Sequence, residues 1–224
     1  MHTVTAERAG ILFDLDGVLI DSEEAHYEAT RTAFRQLGLP ELPVELYQQV
    51  MLGRPDREAI ATALAALDVS SDRLAPALQR KAAIYRDLMR SGAVKLLPDG
   101  IGTVAAALQA GYPVAIVTGA LAEEARWALR TAGLADSITT IVAAEHVARG
   151  KPHPEPYLVG CQRLAVSALR SVAVEDSPAG VDAARAAGLR VVAVARRPLP
   201  PLERAERIVT ELAWETVKQL LSPD

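Results

Sequence analysis

The chain has 224 residues, which is enough for one large domain or for a core domain with a smaller insert. Half of the residues are hydrophobic and 23% are charged, a balance that excludes a disordered or fibrous protein. The formal net charge of -4 leaves no overall positive field to attract nucleic acid or an anionic membrane surface, so we expect neither as a partner.

Cysteine usage and the first residues bear on the cellular compartment. Cys161 is the only cysteine, so the chain has no internal disulfide and no cysteine pair for a zinc site. Residues 1–10 lack the apolar run of a secretion signal, and the later apolar stretches have only the length of strands. These features predict a cytoplasmic protein without a membrane span.

Short apolar runs recur along the chain, and helical patterns separate them. The runs are rich in β-branched residues and continuous rather than alternating, as in parallel sheets that helices cover on both faces. They predict strands at 11–13, 114–117, 138–142, 172–174 and 191–194. The fold class that follows is α/β, with a doubly wound parallel sheet.

The stretch between the first and second predicted strands is far longer than a crossover needs. It contains helical patterns at 24–37, 56–67 and 72–89, which glycine, proline and serine residues separate. We therefore assign residues 20–93 to an inserted helical cap domain, and residues 1–19 and 94–224 to the core domain.

Two aspartates, Asp14 and Asp16, follow the first predicted strand. In extended backbone, alternate side chains share a face, so both carboxylates can point into one site. Two carboxylates so close raise each other's pKa unless a cation lies between them. A structural turn is the alternative. An EF-hand loop is excluded, because Val18 and Leu19 stand where it needs an oxygen ligand and a glycine.

Two further segments carry groups suited to an anion. Thr118 and Gly119 follow the second predicted strand, where a hydroxyl, a glycine and the N–H groups of a helix start can cradle a phosphate. A simple helix cap is the alternative. Lys151 lies in a proline-rich loop, and a solvated surface lysine is the alternative there.

A pair of acids, Glu175 and Asp176, ends the fourth predicted strand. Carboxylates are the hard oxygen ligands that Mg²⁺ prefers. Ser177 and Pro178 suit the start of a helix, so part of this segment is structural. Because ligands of open α/β sheets bind at the carboxyl ends of the strands, the four segments predict one site.

These four segments, in this order, resemble the four motifs of the haloacid dehalogenase superfamily, in the branch of β-phosphoglucomutase-like sugar-phosphate phosphatases. The match covers nearly the whole chain. Asp14 and Asp16 resemble motif one, Thr118 motif two, Lys151 motif three, and Glu175-Asp176 motif four. The resemblance implies a Rossmann-like core, a helical cap inserted between motifs one and two, and Mg²⁺-dependent phosphoryl transfer.

The roles that the resemblance implies also suit the chemistry of the residues. Asp14 attacks phosphorus and forms an aspartyl-phosphate, while Asp16 protonates the leaving oxygen and then activates water. Lys151 offsets the negative charge, and Thr118 and Gly119 bind the phosphoryl oxygens.

The metal ligands implied for Mg²⁺ are Asp14, the main-chain carbonyl of Asp16, and Asp176. Glu175 is either a further ligand or an acceptor behind the ligands. In the cap, His26, Gly53, Arg54 and Arg57 correspond approximately to positions that face the active site in relatives, where an arginine can clamp a second phosphate or order sugar hydroxyls. A solvated surface arginine is the alternative reading of Arg54.

The function predicted is a phosphatase for a small phosphorylated metabolite, a sugar or polyol phosphate, acting as a monomer or a dimer. A β-phosphoglucomutase-type mutase is the alternative, although mutases carry Ser and Lys shortly after motif two and the matching stretch here, Thr118-Gly119-Ala120-Leu121, has neither. A dehalogenase needs no second aspartate, which disfavours it here. A phospho-accepting receiver domain needs no long cap, which disfavours that class.

Overall fold

Two groups of elements make up the computed structural model, which describes residues 8–196 and 202–221. The core unit contains the described residues up to Ile20 and from Leu96 onward, and the helical unit is Asp21–Lys95. The strands are β1 (Ile11–Phe13), β2 (Ile20–Asp21), β3 (Lys95–Leu96), β4 (Val114–Val117), β5 (Thr140–Val142), β6 (Val172–Glu175), β7 (Arg190–Val194) and β8 (Arg207–Val209). The α-helices are α1 (Glu23–Gln36), α2 (Val44–Val50), α3 (Asp56–Ala66), α4 (Leu74–Arg90), α5 (Pro98–Gln109), α6 (Ala122–Thr131), α7 (Glu155–Leu164), α8 (Pro178–Ala186) and α9 (Trp214–Leu221).

A six-stranded parallel sheet forms the core unit, with the strand order β5-β4-β1-β6-β7-β8. The central strand β1 pairs with β4 on one side and β6 on the other, so that Leu12 lies opposite both Ala115 and Ala173. All residues of β1, β4 and β6 are buried. Continuous burial requires helices on the sheet, and the predicted α/β class is confirmed.

The sheet differs from the sequence expectation at its edges. The strand predicted from residue 138 begins at Thr140, and the edge strand β8 had no predicted counterpart. Two residues of β8 are exposed, so its sequence lacks the continuous apolar run that marks a buried strand. No helix among residues 8–196 and 202–221 is both long and apolar enough to cross a membrane.

The helical unit has its own apolar cluster, which includes Phe34, Tyr47, Ile60 and Leu64. Helices α1, α3 and α4 correspond to the three helical patterns in the sequence, with ends that differ by no more than two residues. The short helix α2 was not predicted, because prolines precede it and its seven residues span too few turns to show periodicity. Strands β2 and β3 pair with each other where the chain passes between the two units.

A glycine brings α7 close to the sheet. A Cβ atom on Gly160 would lie 2.6 Å from Leu12 Cδ2 and 3.1 Å from Val117 Cγ2. A methyl group therefore does not fit between the helix and strands β1 and β4 unless the packing changes. Gly102, within α5, is exposed, and a Cβ there would meet nothing within 4 Å.

We expect Gly160→Ala to lower the free energy of unfolding by about 1–3 kcal/mol, because overpacking forces the helix or the strands to move. Gly102→Ala is the matched control. It should raise the free energy of unfolding by about 0.5–1 kcal/mol, since alanine is more stable than glycine inside a helix. Urea unfolding of both variants measures the difference, and equal effects would contradict the packing at Gly160.

Candidate active site

Three acceptor side chains meet at the carboxyl edge of the sheet because their strands are neighbours. Asp14 directly follows β1, Thr118 directly follows β4, and Glu175 is the last residue of β6. The backbone N–H of Asp14 donates to the Val174 carbonyl at 2.9 Å, which extends the parallel ladder to this residue. All three side chains are buried. Local structure thus fixes the direction in which each side chain leaves the sheet.

Lys151 joins two of these acidic side chains. Its Nζ lies 2.9 Å from Asp14 Oδ1 and 2.5 Å from Glu175 Oε1, and it donates to the Val117 carbonyl at 2.9 Å. Only 11% of the Lys151 side chain is exposed. The structure therefore places this ammonium inside the carboxylate cluster, which excludes the alternative of a solvated surface lysine.

The pKa values reflect burial together with an excess of negative charge. Burial raises the pKa of Asp14 to about 8, and the charge of Glu175 adds to the effect against the opposing influence of Lys151. Burial and the charge of Asp14 likewise raise the pKa of Asp176. Burial acts to lower the pKa of Lys151, but the charges of Asp14 and Glu175 outweigh it and raise this pKa. The ammonium therefore stays charged, and one ammonium does not balance the cluster.

The acidic residues fit a divalent cation. Asp14, Glu175 and Asp176 each offer a carboxylate oxygen, and these oxygens lie within 4.8 Å of one another. The Asp14 Oδ1 atom is buried and lies 2.9 Å from the Lys151 ammonium, and no neutral donor among the described residues bonds to it. Hard oxygen donors close together are the ligand type that Mg²⁺ prefers. Asp16 lies two residues beyond Asp14 and is half-buried.

Glu175 is occupied on both of its oxygens. Oε1 accepts from the Tyr157 hydroxyl at 2.5 Å in addition to Lys151. Oε2 accepts from the Asp176 N–H and from the Ser177 hydroxyl, each at 3.3 Å. These contacts favour a role behind the ligands over direct coordination.

Two residues that support Glu175 were missed in the sequence. Tyr157 lies on α7, where a single aromatic residue gives no signal of a polar role. Gly180 lies in the first turn of α8, and a Cβ there would be 2.0 Å from Glu175 Oε2. Its backbone N–H donates to Ser177 Oγ at 3.1 Å, which is the helix cap expected of that serine.

The loop after Thr118 offers fewer donors than the sequence suggested. The N–H groups that follow Gly119 donate within the protein: Ala120 to Thr118 Oγ1 at 3.0 Å, Leu121 to Glu124 Oε2 at 3.2 Å, and Ala122 to Glu145 Oε1 at 3.0 Å. The Gly119 N–H donates to no described residue. Two carboxylates thus cap the start of α6, and their negative charge disfavours the binding of an anion at this helix end.

Within the helical unit, His26 belongs to a polar cluster that the sequence did not reveal. Its ring stacks on Tyr85 with the centroids 4.1 Å apart, and its Nδ1 lies 2.7 Å from Lys81 Nζ. Lys81 is 2% exposed and forms an ion pair with Asp56 at 2.6 Å. Lysine side chains are almost never fully buried without such a partner.

The other three residues predicted for the cap are exposed. Arg54 lies 3.7 Å from Glu58, and 46% of its side chain is accessible. Gly53 and Arg57 are exposed as well, and Gly53 has a φ of +69° in the turn before α3. An exposed ion pair of this type contributes little to stability, so the arginine is available for another role.

We expect Tyr157→Phe to lower the free energy of unfolding by about 2 kcal/mol, because it removes a donor to a buried carboxylate. Tyr27→Phe is the control, since the Tyr27 hydroxyl donates to the neutral Leu42 carbonyl at 3.3 Å. That change should cost about 0.5 kcal/mol. Urea unfolding of the metal-free variants compares the two, and a smaller effect at Tyr157 would contradict the assigned contact.

Comparison with known proteins gives a consistent result. A family model described as haloacid dehalogenase-like hydrolase matches residues 11–194. Hexitol phosphatase A from Escherichia coli is 34% identical over 209 residues, which is 93% of each chain. Fructose-1-phosphate phosphatase YqaB from the same organism is 32% identical over 187 residues, covering 83% of this chain and 96% of the relative.

A solved structure shares both units. The crystal structure of CbbY from Rhodobacter sphaeroides, in complex with phosphate, superposes with a TM-score of 0.81 and 29% sequence identity. The match covers 91% of this chain and 94% of the other. A match of this length extends into both units.

Proposed function

Because this chain belongs to the haloacid dehalogenase-like hydrolases, we propose that it is a Mg²⁺-dependent phosphatase that hydrolyses a sugar or polyol phosphate through an aspartyl-phosphate on Asp14. Its class is that of a phosphoric monoester hydrolase, in line with its phosphatase-named relatives. The observation that carries the proposal is the buried Lys151 ammonium, held between Asp14 and Glu175 at the strand ends.

Asp14 is the nucleophile in this proposal. A carboxylate oxygen of Asp14 forms a bond to phosphorus while the bond from phosphorus to the ester oxygen breaks. Asp16 gives its proton to the departing oxygen, so an alcohol leaves. Water then attacks the phosphorus of the aspartyl-phosphate, Asp16 takes the water proton, and the Asp14 carboxylate and inorganic phosphate are formed.

The charges of the site suit an anionic substrate only when cations are present. Asp14, the main-chain carbonyl of Asp16 and Asp176 would hold Mg²⁺. When bound, the metal would supply positive charge against the phosphoryl oxygens. Glu175, engaged by its own donors, would fix Lys151 beside Asp14. Lys151 then offsets the charge of Asp14 and of the phosphoryl group.

The Thr118 hydroxyl and the Gly119 N–H are the donors left for the phosphoryl oxygens on the β4 side of the site. Thr118 Oγ1 already accepts from the Ala120 N–H, which leaves its hydroxyl hydrogen to donate. In this proposal the helical unit selects the organic part of the substrate. The residues that would contact it are His26, Gly53, Arg54 and Arg57.

The capped start of α6 favours the phosphatase over the mutase. A mutase must anchor a second phosphate, whereas the N–H groups here donate to Glu124 and Glu145. Two carboxylates at this helix start would repel a second phosphate. A cytoplasmic location suits the single cysteine, which is buried in α7.

We expect Asp14→Asn to abolish phosphate release from fructose 1-phosphate, a loss of at least about 10³-fold, since the amide is not a nucleophile. Chelation of divalent cations with EDTA should abolish activity in the parent protein, and added Mg²⁺ should restore it. Asp182→Asn, on α8, is the control and should retain activity. Activity that survives Asp14→Asn, or that EDTA does not affect, would overturn the proposal.

We expect Glu145→Gln to improve the use of a bisphosphate, because glutamine keeps the acceptor for the Ala122 N–H and removes the negative charge. The ratio of kcat/KM for fructose 1,6-bisphosphate to that for fructose 1-phosphate should rise about 3- to 10-fold. Glu215→Gln, in the first turn of α9, is the matched control and should leave the ratio unchanged. An unchanged ratio in Glu145→Gln would contradict the electrostatic exclusion.

A further inference from the structure

The turn that carries Asp16 is tightly closed on itself. The Gly17 N–H donates to the Ile20 carbonyl at 2.8 Å, and the N–H groups of Leu19 and Ile20 donate to the Leu15 carbonyl at 2.8 and 3.1 Å. The turn is therefore a compact unit, and its contacts with the rest of the core unit set the position of Asp16.

Gly17 is the point at which two neighbours touch this turn. It has a φ of +69°, and a Cβ there would lie 1.9 Å from Asp176 Oδ2, so only glycine allows this approach. Its carbonyl accepts from Arg196 Nε at 3.0 Å. The Asp176 carboxylate therefore lies against Gly17 on the side where a Cβ would stand, and Arg196 is hydrogen-bonded to the Gly17 carbonyl.

Arg196 is itself held in place by Asp99. Its Nη2 donates to Asp99 Oδ2 at 2.7 Å, and the Leu212 N–H donates to the same oxygen at 2.7 Å. Burial acts to raise the pKa of Asp99, but the hydrogen bonds from Leu212 and Arg196 outweigh it and lower this pKa. The guanidinium thus binds a fixed carboxylate with one nitrogen and the turn with another. A lysine, with a single nitrogen, could not make both contacts in this geometry.

The first turn of α5, which carries Asp99, also contacts the Asp16 turn directly. A Cβ on Gly100 would lie 2.0 Å from the Val18 carbonyl oxygen, and the Leu97 N–H donates to the Leu19 carbonyl at 2.9 Å. The segment after β7 and the start of α5 therefore meet at the Asp16 turn, and the loop before α9 donates to Asp99. None of these groups is assigned a part in the chemistry above.

We propose that Arg196 and Asp99 form a positioning pair that orients the Asp16 turn for proton transfer to the leaving oxygen. The inference rests on the proposed function, because it needs Asp16 as the general acid. Asp16 must lie within hydrogen-bond reach of the ester oxygen, and a shift of about 1 Å in such a group costs up to about 100-fold in rate. Loss of the pair should therefore affect the proton-transfer step selectively.

The test compares two leaving groups. p-Nitrophenolate leaves without a proton, whereas the alkoxide of fructose 1-phosphate requires one. The parameter kcat/KM reports the steps up to loss of the leaving group, so it isolates the first transfer. For Arg196→Met we expect kcat/KM to fall about 10- to 100-fold with fructose 1-phosphate and less than about 3-fold with p-nitrophenyl phosphate.

Two further variants make the comparison specific. Asp99→Asn removes the ion pair and should show the same selectivity to a smaller extent, and it serves as the test if Arg196→Met does not fold. Arg204→Met is the matched control, because Arg204 pairs with Asp182 at 2.5 Å away from the turn. Its kcat/KM should stay within about 2-fold of the parent for both substrates.

Asp16→Asn separates failure of the inference from failure of the proposed function. If Asp16→Asn shows the dependence on leaving group and Arg196→Met shows equal losses or none, the positioning role is overturned while the proposed function stands. If Asp16→Asn shows no such dependence, proton transfer by Asp16 fails, and the positioning role fails with it.

Discussion

The structure of the site depends on one constraint. Several carboxylates are held close together at neighbouring strand ends, and the single ammonium among them does not neutralise their charge. Oxygens of Asp14, Glu175 and Asp176 lie within 4.8 Å of one another, a distance at which two unit charges repel by about 3 kcal/mol at an effective dielectric constant of about 20. Lys151 relieves part of this repulsion, while burial, with the charge of Glu175 adding to it, still raises the pKa of Asp14. The remaining need for a cation is what makes this edge of the sheet suited to a metal and a phosphate.

Glycine residues allow polar groups of the core unit to lie close to the backbone of neighbouring segments. Gly17 admits Asp176, Gly180 admits Glu175, and Gly100 admits the carbonyl of Val18. The glycines belong to three separate segments, the turn after β1, α5 and α8, so backbone packs closely against the Asp16 turn and against the acidic cluster. A rigid frame of this kind favours catalysis because charged groups need not reorganise when the substrate binds.

The sequence predicted the central strands and the groups that follow them, since these depend on local apolar runs and on the parallel order of the strands. It did not predict Tyr157, the role of Glu145 or the contact of Arg196 with Asp99, because each depends on residues far apart in the chain that leave no local pattern. The polar cluster of Lys81 in the helical unit was missed for the same reason. The edge strand β8 is too exposed to show a continuous apolar run, and the helix α2 is too short to show a helical period of apolar residues.

The strand order has a consequence for the order in which the protein assembles. Ile11 in β1 pairs with Val114 and with Val172, so the central strand, although made first, gains its two neighbours only after most of the chain exists. The helical unit is continuous in sequence and has its own apolar cluster, so its contacts close over shorter loops. Contacts within the insert can therefore form without the strands that follow it, whereas Asp14 meets Glu175 only once β6 exists.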